Sequence, residues 1–225
     1  MYRSPLGGKI ESMKIALFGA TGWIGGGVAR EALERGHLVT AVVRDKSRFT
    51  LENENLSTTM GDISDPASVV LAIAAHDAVI AALGSRREGN HKIVTEGARI
   101  LLGALPHSGV RRVIWVGGAG SLDVSPGVQL IDAPAFPAGW KAEAAAQVEA
   151  LKIFRAMGGS NEWTFLCPPA LLEPGQRTWR YRTGGDQLLT DEKGDSRISV
   201  EDFAVAVLDE LERPAHIRKR FTVAY

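Results

Sequence analysis

A five-residue apolar run, Lys14 to Phe18 (KIALF), passes with no linker into Gly19-Ala20-Thr21-Gly22-Trp23-Ile24-Gly25 and then into a helix-period stretch. That stretch places Ile24, Val28, Ala29, Ala32 and Leu33 on one side, and Gly36 follows it where a helix C′ glycine belongs. A strand that turns on glycines directly into a helix is the opening unit expected of a parallel βαβ sheet. The unit then recurs. Apolar, β-branched runs at 38–43, 56–60, 78–82, 112–116 and 163–166 alternate with helical segments, so a right-handed, doubly wound α/β sheet is expected.

Local signals place the remaining elements. Asp65-Pro66 supplies an N-cap and an N1 proline for a helix, and 92–105 repeats apolar residues at Ile93, Gly97, Ile100, Leu101, Ala104 and Leu105. Another helix is expected over 141–156. Ser199-Val200-Glu201-Asp202 reads as a capping box before a helix carrying Phe203, Val207, Leu208 and Leu211, and 220–223 reads as a last strand. The stretch 117–139 is rich in glycine and proline without a period and predicts a long functional loop, while 187–190 predicts a short strand. With 225 residues, one domain over 13–225 is expected. Residues 1–12 read as an upstream extension or cloning scar, and substrate-side elements from about 117–140 and 168–200 form a small C-terminal lobe.

The glycine turn reads as a dinucleotide-binding turn or as a strand–helix turn that binds nothing, and its context favours the first. One glycine permits the tight turn, a second lets backbone approach a pyrophosphate without a Cβ, and a third allows close helix–strand packing. The helix N-terminus adds free N–H groups and a partial positive charge. In an NAD site a carboxylate near the end of the second strand would bind the ribose hydroxyls. Here that position holds Arg44, followed by Asp45, Lys46 and Arg48. A guanidinium can grip a 2′-phosphate that a carboxylate would repel, so NADP(H) is expected ahead of NAD(H). Asp62, after the third strand, reads equally as an adenine contact and as a turn or N-cap residue. Leu83-Gly84-Ser85-Arg86 follows the fourth strand and borders the same crevice.

Together Gly19 to Gly25 (GATGWIG), 44–48 (RDKSR), Gly61-Asp62, 83–86 (LGSR), Glu96-Gly97-Ala98-Arg99 and Ser196-Arg197-Ile198-Ser199 resemble the atypical short-chain dehydrogenase/reductases. Within that branch the likeness is to NmrA-like NAD(P)H-flavin reductases and the biliverdin reductase B type of flavin reductase. It runs from about residue 13 to 223. The resemblance implies a Rossmann-type core binding NADP(H), with the nicotinamide facing a shallow apolar pocket for FMN, another flavin, a quinone or a related planar acceptor. It assigns Gly19, Thr21, Gly22, Trp23 and Ile24 to the pyrophosphate, and Arg44 and Arg48 to the 2′-phosphate. Asp62 and Ile63 would flank adenine. Ala82, Leu83, Gly84 and Arg86, with Gly117 and Gly118, would lie along the ribose and nicotinamide. Trp140, Lys141 and Pro168 would border the substrate. Two departures bear on the substrate: Gly118 stands where biliverdin reductase-like proteins carry a serine, and Trp140-Lys141 stands where relatives tend to carry Tyr-Lys.

The orthodox short-chain chemistry needs a tyrosine with a lysine four residues on. Tyr2 and Tyr181 have Leu6 and Gly185 there, and Tyr225 ends the chain, so alcohol oxidation by that route is disfavoured. Hydride transfer to an electron-poor flavin or quinone asks mainly for binding and orientation, so no catalytic side chain is assigned. Two other functions stay open: an NADP-occupied redox sensor that does not turn over, and a natural-product carbonyl or olefin reductase with an unnamed proton donor. Lys141 reads as a solvated charge or a substrate contact, and Trp140 as local packing or a stacking platform. The cluster Trp179 to Arg182 reads as a substrate rim, a dimer contact or an exposed strand. The single cysteine, Cys167, reads as a small buried hydrophobe ahead of a reactive thiol, and it fits a reducing, cytoplasmic setting. The five histidines lack ligand spacing, so no metal is expected. Equal numbers of basic and acidic residues, 26 each, argue against nucleic-acid or membrane-surface binding, and no apolar run is long enough to span a bilayer. A monomer or homodimer acting on a small molecule is expected.

Overall fold

The computed structural model describes residues 11–84 and 89–225, the side chain of Arg48 excepted. In chain order its strands are β1 (Lys14–Phe18), β2 (Leu38–Val43), β3 (Leu56–Met60), β4 (Ala78–Ala81), β5 (Arg112–Val116), β6 (Asp123–Ser125), β7 (Val128–Gln129), β8 (Glu162–Cys167), β9 (Leu171–Glu173), β10 (Arg182–Gly184), β11 (Arg197–Ser199) and β12 (Lys219–Ala224). The helices are α1 (Trp23–Glu34), α2 (Pro66–Ile73), α3 (Lys92–Ser108), α4 (Lys141–Met157) and α5 (Val200–Glu212). Eight strands form one sheet in the order β10-β12-β8-β5-β4-β1-β2-β3, parallel except for β10 at its edge. This is the doubly wound, Rossmann-type α/β fold expected from the alternation.

Burial on both faces explains the apolar runs. In β1, Ile15 and Leu17 pack with α1 and α5 through Val28, Ala32, Phe203 and Val207, whereas Ala16 and Phe18 pack on the other side with α2, α3 and α4. The strand period of two thus divides one short run between two cores. Strand β1 pairs with β2 on one side and β4 on the other. The order reverses there, and in open α/β sheets it is beyond the carboxyl ends of the strands at such a switch point that ligands bind.

The C-terminal half departs from expectation in four places. The stretch 117–139 is not one irregular loop: two 3-10 turns, the start of a third at Ala138 and the β6–β7 hairpin organise it. Residues 187–190 form no strand. Pairing moves to Arg182–Gly184 beside β12, and Gln187 makes only an isolated bridge to Asp123. Strands β9 and β11, too short to leave a period, form a separate parallel pair. The capping box is half made. Ser199 accepts from the Asp202 N–H at 3.0 Å, but the Asp202 carboxylate turns away and accepts from Thr178 N and Trp179 N at 2.8 Å each and from Tyr225 Oη at 2.7 Å. The Trp179 region is therefore fastened to α5: its ring lies under Arg177 at 4.5 Å, and Tyr181 donates to Asp209 at 2.6 Å.

Candidate functional site

The glycine turn is fixed by contact. Gly19 has φ +82°, and a Cβ there would lie 2.1 Å from the Ala82 carbonyl oxygen. A Cβ on Gly25 would lie 2.1 Å from the Gly19 carbonyl oxygen, which accepts the Gly22 N–H at 2.9 Å. Gly22 is the N-cap of α1 and supplies no side-chain cap, and no acid stands in the first turn. An α-helix leaves its first N–H groups without intrahelical acceptors, so those of Trp23, Ile24 and Gly25 are suited to an anion. Thr21, Gly22 and Trp23 are exposed at this end.

Arg44 is exposed at the end of β2. Asp45 caps the following 3-10 turn, accepting from Ser47 N at 2.9 Å and Ser47 Oγ at 2.7 Å. After β3, Asp62 Oδ1 accepts from Ser64 N at 2.9 Å and Ser64 Oγ at 2.7 Å. These bonds, joined by the Arg44 charge, hold the Asp62 carboxyl below the ordinary carboxylate range. Asp62 is thus a turn residue, and the N-cap of α2 is Asp65. The Ile63 side chain is buried, and a Cβ on Gly97 of α3 would lie 2.9 Å from its Cγ1, so a ligand there would meet Ile63 through its backbone.

The opposite flank is held by a residue that sequence reasoning missed. Gln147 is 4% exposed; its Oε1 accepts from Trp115 Nε1 at 3.1 Å and its Nε2 donates to the Leu83 carbonyl at 3.0 Å. It therefore joins α4 to the loop after β4, while a Cβ on Gly118 would touch its Cβ and Cγ at 3.3 Å. The signal available was a polar residue on the stripe Ala144, Gln147, Leu151, Phe154. Gly117 continues β5, and a Cβ there would strike Phe165 Cε1 at 2.1 Å. Nearby, His91 Nδ1 lies 3.3 Å from Glu143 Oε2, a pair that sequence also left unmarked.

Every described position assigned to cofactor or substrate lies at the carboxyl end of the sheet. Gly19 follows β1, Arg44 β2, Asp62 β3, Ala82, Leu83 and Gly84 β4, Gly117 and Gly118 β5, and Pro168 β8. Trp140, 42% exposed, and Lys141 stand at the head of α4, which starts at this same end. Arg86 lies outside the described residues, as does the Arg48 side chain.

Cys167 is fully buried beneath this end, 3.4 Å from Ser121 Oγ. Burial pushes its thiol up to about 11. Native protein at pH 8 should therefore resist a thiolate-specific disulfide reagent that reacts at once after unfolding, and rapid native labelling would show the site to be open. The sign of the linkage follows. A thiol protonated in the fold but ionising near 9 when unfolded contributes stability below pH 9 that is lost as pH rises toward 11.

Among the described residues no helix is long and apolar enough to cross a membrane. The model of an NAD(P)H-binding family matches residues 19–211. The Bacillus subtilis protein YwnB, itself uncharacterised, is 40% identical over 220 residues, spanning 94% of this chain and 98% of that protein. A crystal structure from Burkholderia pseudomallei, of a protein provisionally described as exported, has 44% identity and a TM-score of 0.87, covering 95% of this chain and all (100%) of that one. A protein from Streptococcus pneumoniae TIGR4, provisionally described as an NADH-flavin reductase, has 31% identity and a TM-score of 0.84, covering 95% of this chain and 99% of that one.

Proposed function

The chain belongs to the NAD(P)H-binding family, and on that premise we propose that it is an NADPH-dependent reductase that passes hydride to a flavin, quinone or similar planar acceptor. One observation carries the cofactor preference. The end of β2, where a ribose-binding carboxylate would favour NAD, presents Arg44, and Asp45 beside it caps its own turn. In this reading Gly22, Trp23 and Ile24 offer backbone N–H groups to the pyrophosphate, with Gly19 shaping the turn and Thr21 on its rim. Arg44, with Arg48, holds the 2′-phosphate. Asp62 and the Ile63 backbone border the adenine. Ala82, Leu83, Gly84, Gly117 and Gly118 form a floor without long side chains beneath the nicotinamide, and Trp140, Lys141 and Pro168 edge the acceptor. The bound dinucleotide supplies the hydride, and the protein supplies position and a flat surface for a second planar ring. Support for the acceptor class comes from the Streptococcus relative and from a chain without a Tyr-x-x-x-Lys pair. A cytoplasmic location, where reduced nicotinamide is made, belongs to the same reading.

The test follows the loss of nicotinamide absorbance with NADPH or NADH against FMN, riboflavin and a simple quinone, beside a binding titration of both cofactors. Turnover with NADPH supports the reductase, whereas tight NADPH binding without turnover replaces it with an NADP-occupied sensor. Arg44→Glu should weaken NADPH binding roughly 10- to 100-fold, the worth of a charge-assisted hydrogen bond made into a repulsion, and change NADH binding less than about threefold. Equal losses for both cofactors would remove Arg44 from the 2′-phosphate.

A further inference from the structure

The floor proposed for the nicotinamide is made of two backbone segments that have just left the sheet, one after β4 and one after β5. We propose that Gln147 is the positioning residue that sets these segments relative to each other, and so fixes how the nicotinamide lies for hydride transfer; this rests on the reductase reading above. The ladder of β4 ends at Ala81, which is paired with Phe18 on one side and Trp115 on the other, and Ala82 N adds one bond to the Phe18 carbonyl at 3.0 Å. Leu83 lies past these bonds, and its carbonyl accepts from Gln147 Nε2 at 3.0 Å. After β5, Gly117 N donates to the Leu166 carbonyl at 2.8 Å. Gly118, the next residue, rests on the stem of Gln147, where a Cβ would lie 3.3 Å from both its Cβ and its Cγ. One side chain therefore touches both segments just past the end of their strands.

The amide has a single orientation. Trp115 Nε1–H can only donate and the Leu83 carbonyl can only accept, so Oε1 faces the first at 3.1 Å and Nε2 faces the second. Trp115 is fully buried in β5, and its ring packs on Phe154 of α4 with centroids 5.3 Å apart, which fixes the donor. The helix behind the amide is held close to the loop after β5, since a Cβ on Gly120 would lie 2.9 Å from Ala144 Cβ. Around Gln147, α4 buries Ala144, Ala146, Ala150 and Leu151, a stripe that an apolar side chain would also fill. A buried, hydrogen-bonded amide in such company adds little net stability; what it adds is one fixed direction at each end. Hydride transfer depends on direction of that kind, because about 1 Å of misplacement can cost about 100-fold where orientation supplies the catalysis. In the same reading the dinucleotide is gripped by the turn after β1 and by Arg44, so loosening the floor reaches the transfer step and spares binding.

Gln147→Leu keeps most of the volume and removes both bonds. Its single-turnover rate of hydride transfer from NADPH to a quinone should fall about tenfold or more, with the NADPH Kd within about threefold of the wild type. Gln147→Glu can still accept from Trp115 but, as a carboxylate, cannot donate to Leu83; it should show the same split, and it carries the test should the leucine variant not fold. Trp115→Phe is the structural control. It removes the opposite bond and leaves the one to Leu83, so it should lower the melting temperature with a transfer rate within about twofold of the wild type. A wild-type transfer rate in the Gln147 variants overturns the proposal. A rate that falls in step with melting temperature across all three variants, or with NADPH affinity, overturns it too, since Gln147 would then be a plain brace of the fold. Each of these results leaves the reductase standing. Wild-type protein that passes hydride to no acceptor overturns the reductase, and this role with it.

Discussion

Gly19→Ala should raise the Kd for NADPH by about 100-fold or more and lower the melting temperature by several degrees. Two costs coincide at this position. The backbone sits at φ +82°, where an L side chain costs roughly 1–2 kcal/mol. The new Cβ would also lie 2.1 Å from the Ala82 carbonyl oxygen, a backbone atom that cannot swing aside as a side-chain tip would. Relief requires the turn to move away from β4. The turn carries the Gly19 carbonyl, which holds Gly22 at the head of α1, so the N–H groups offered to the pyrophosphate move with it. Displacement by about 1 Å is enough to cost about two orders of magnitude where geometry is the whole contribution. Gly36→Ala supplies the control. Gly36 has φ +83° but nothing within 4 Å of a Cβ, so it should show the backbone cost alone, with a lowered melting temperature and unchanged NADPH affinity. If Gly19→Ala bound NADPH as tightly as wild type, the turn would not be the phosphate site.

The part of the site built from backbone was legible in the sequence, because a tight turn, a close approach and a helix start each demand particular residues at fixed spacing. Gly19, Gly22 and Gly25 could be assigned from the turn they must form, and Asp65-Pro66 and Ser199 from the helices they must start. The part built from side chains meeting across the sheet was not. Gln147 links Trp115 to Leu83, and His91 meets Glu143, each pair coming from segments dozens of residues apart with no local pattern to announce it. Asp202 shows the same limit from the other side. Its place in a capping box was visible, but whether its carboxylate turned back to Ser199 or outward to Thr178, Trp179 and Tyr225 depended on where a distant loop and the chain's end had packed. The C-terminal strands were misplaced for a related reason: at three residues each, β9, β10 and β11 are too short for a period of two to be read.

Arg35→Met should destabilise the protein by about 3–5 kcal/mol while leaving NADPH affinity below the transition nearly unchanged. The Arg35 guanidinium is 1% exposed and pairs with Glu31 at 2.7 Å, Asp209 at 2.8 Å and Glu212 at 2.9 Å, joining the end of α1 to the last turn of α5. Its Nη2 also donates to the Val205 carbonyl at 3.3 Å. Glu31 and Glu212 are themselves 4% and 3% exposed, so removing the cation leaves Glu31 with Arg177 at 2.8 Å and Glu212 with His37 at 3.0 Å as their remaining partners, in a place where water cannot replace the lost one. Methionine keeps most of the volume, so the loss measures charge and hydrogen bonds more than cavity. For a chain of this length, 3–5 kcal/mol corresponds to a fall in melting temperature of roughly 6–20 °C. Adding Glu212→Gln to Arg35→Met should recover part of the loss, since the second change removes a buried charge that the first had left without its arginine. Recovery of that kind is the signature of a coupled network, and strictly additive losses would show the pairs to be independent. The binding result follows from the fold: the anchor holds the carboxyl end of α1, whereas the pyrophosphate turn lies at its amino end, pinned separately by Gly19 and Gly25 against backbone.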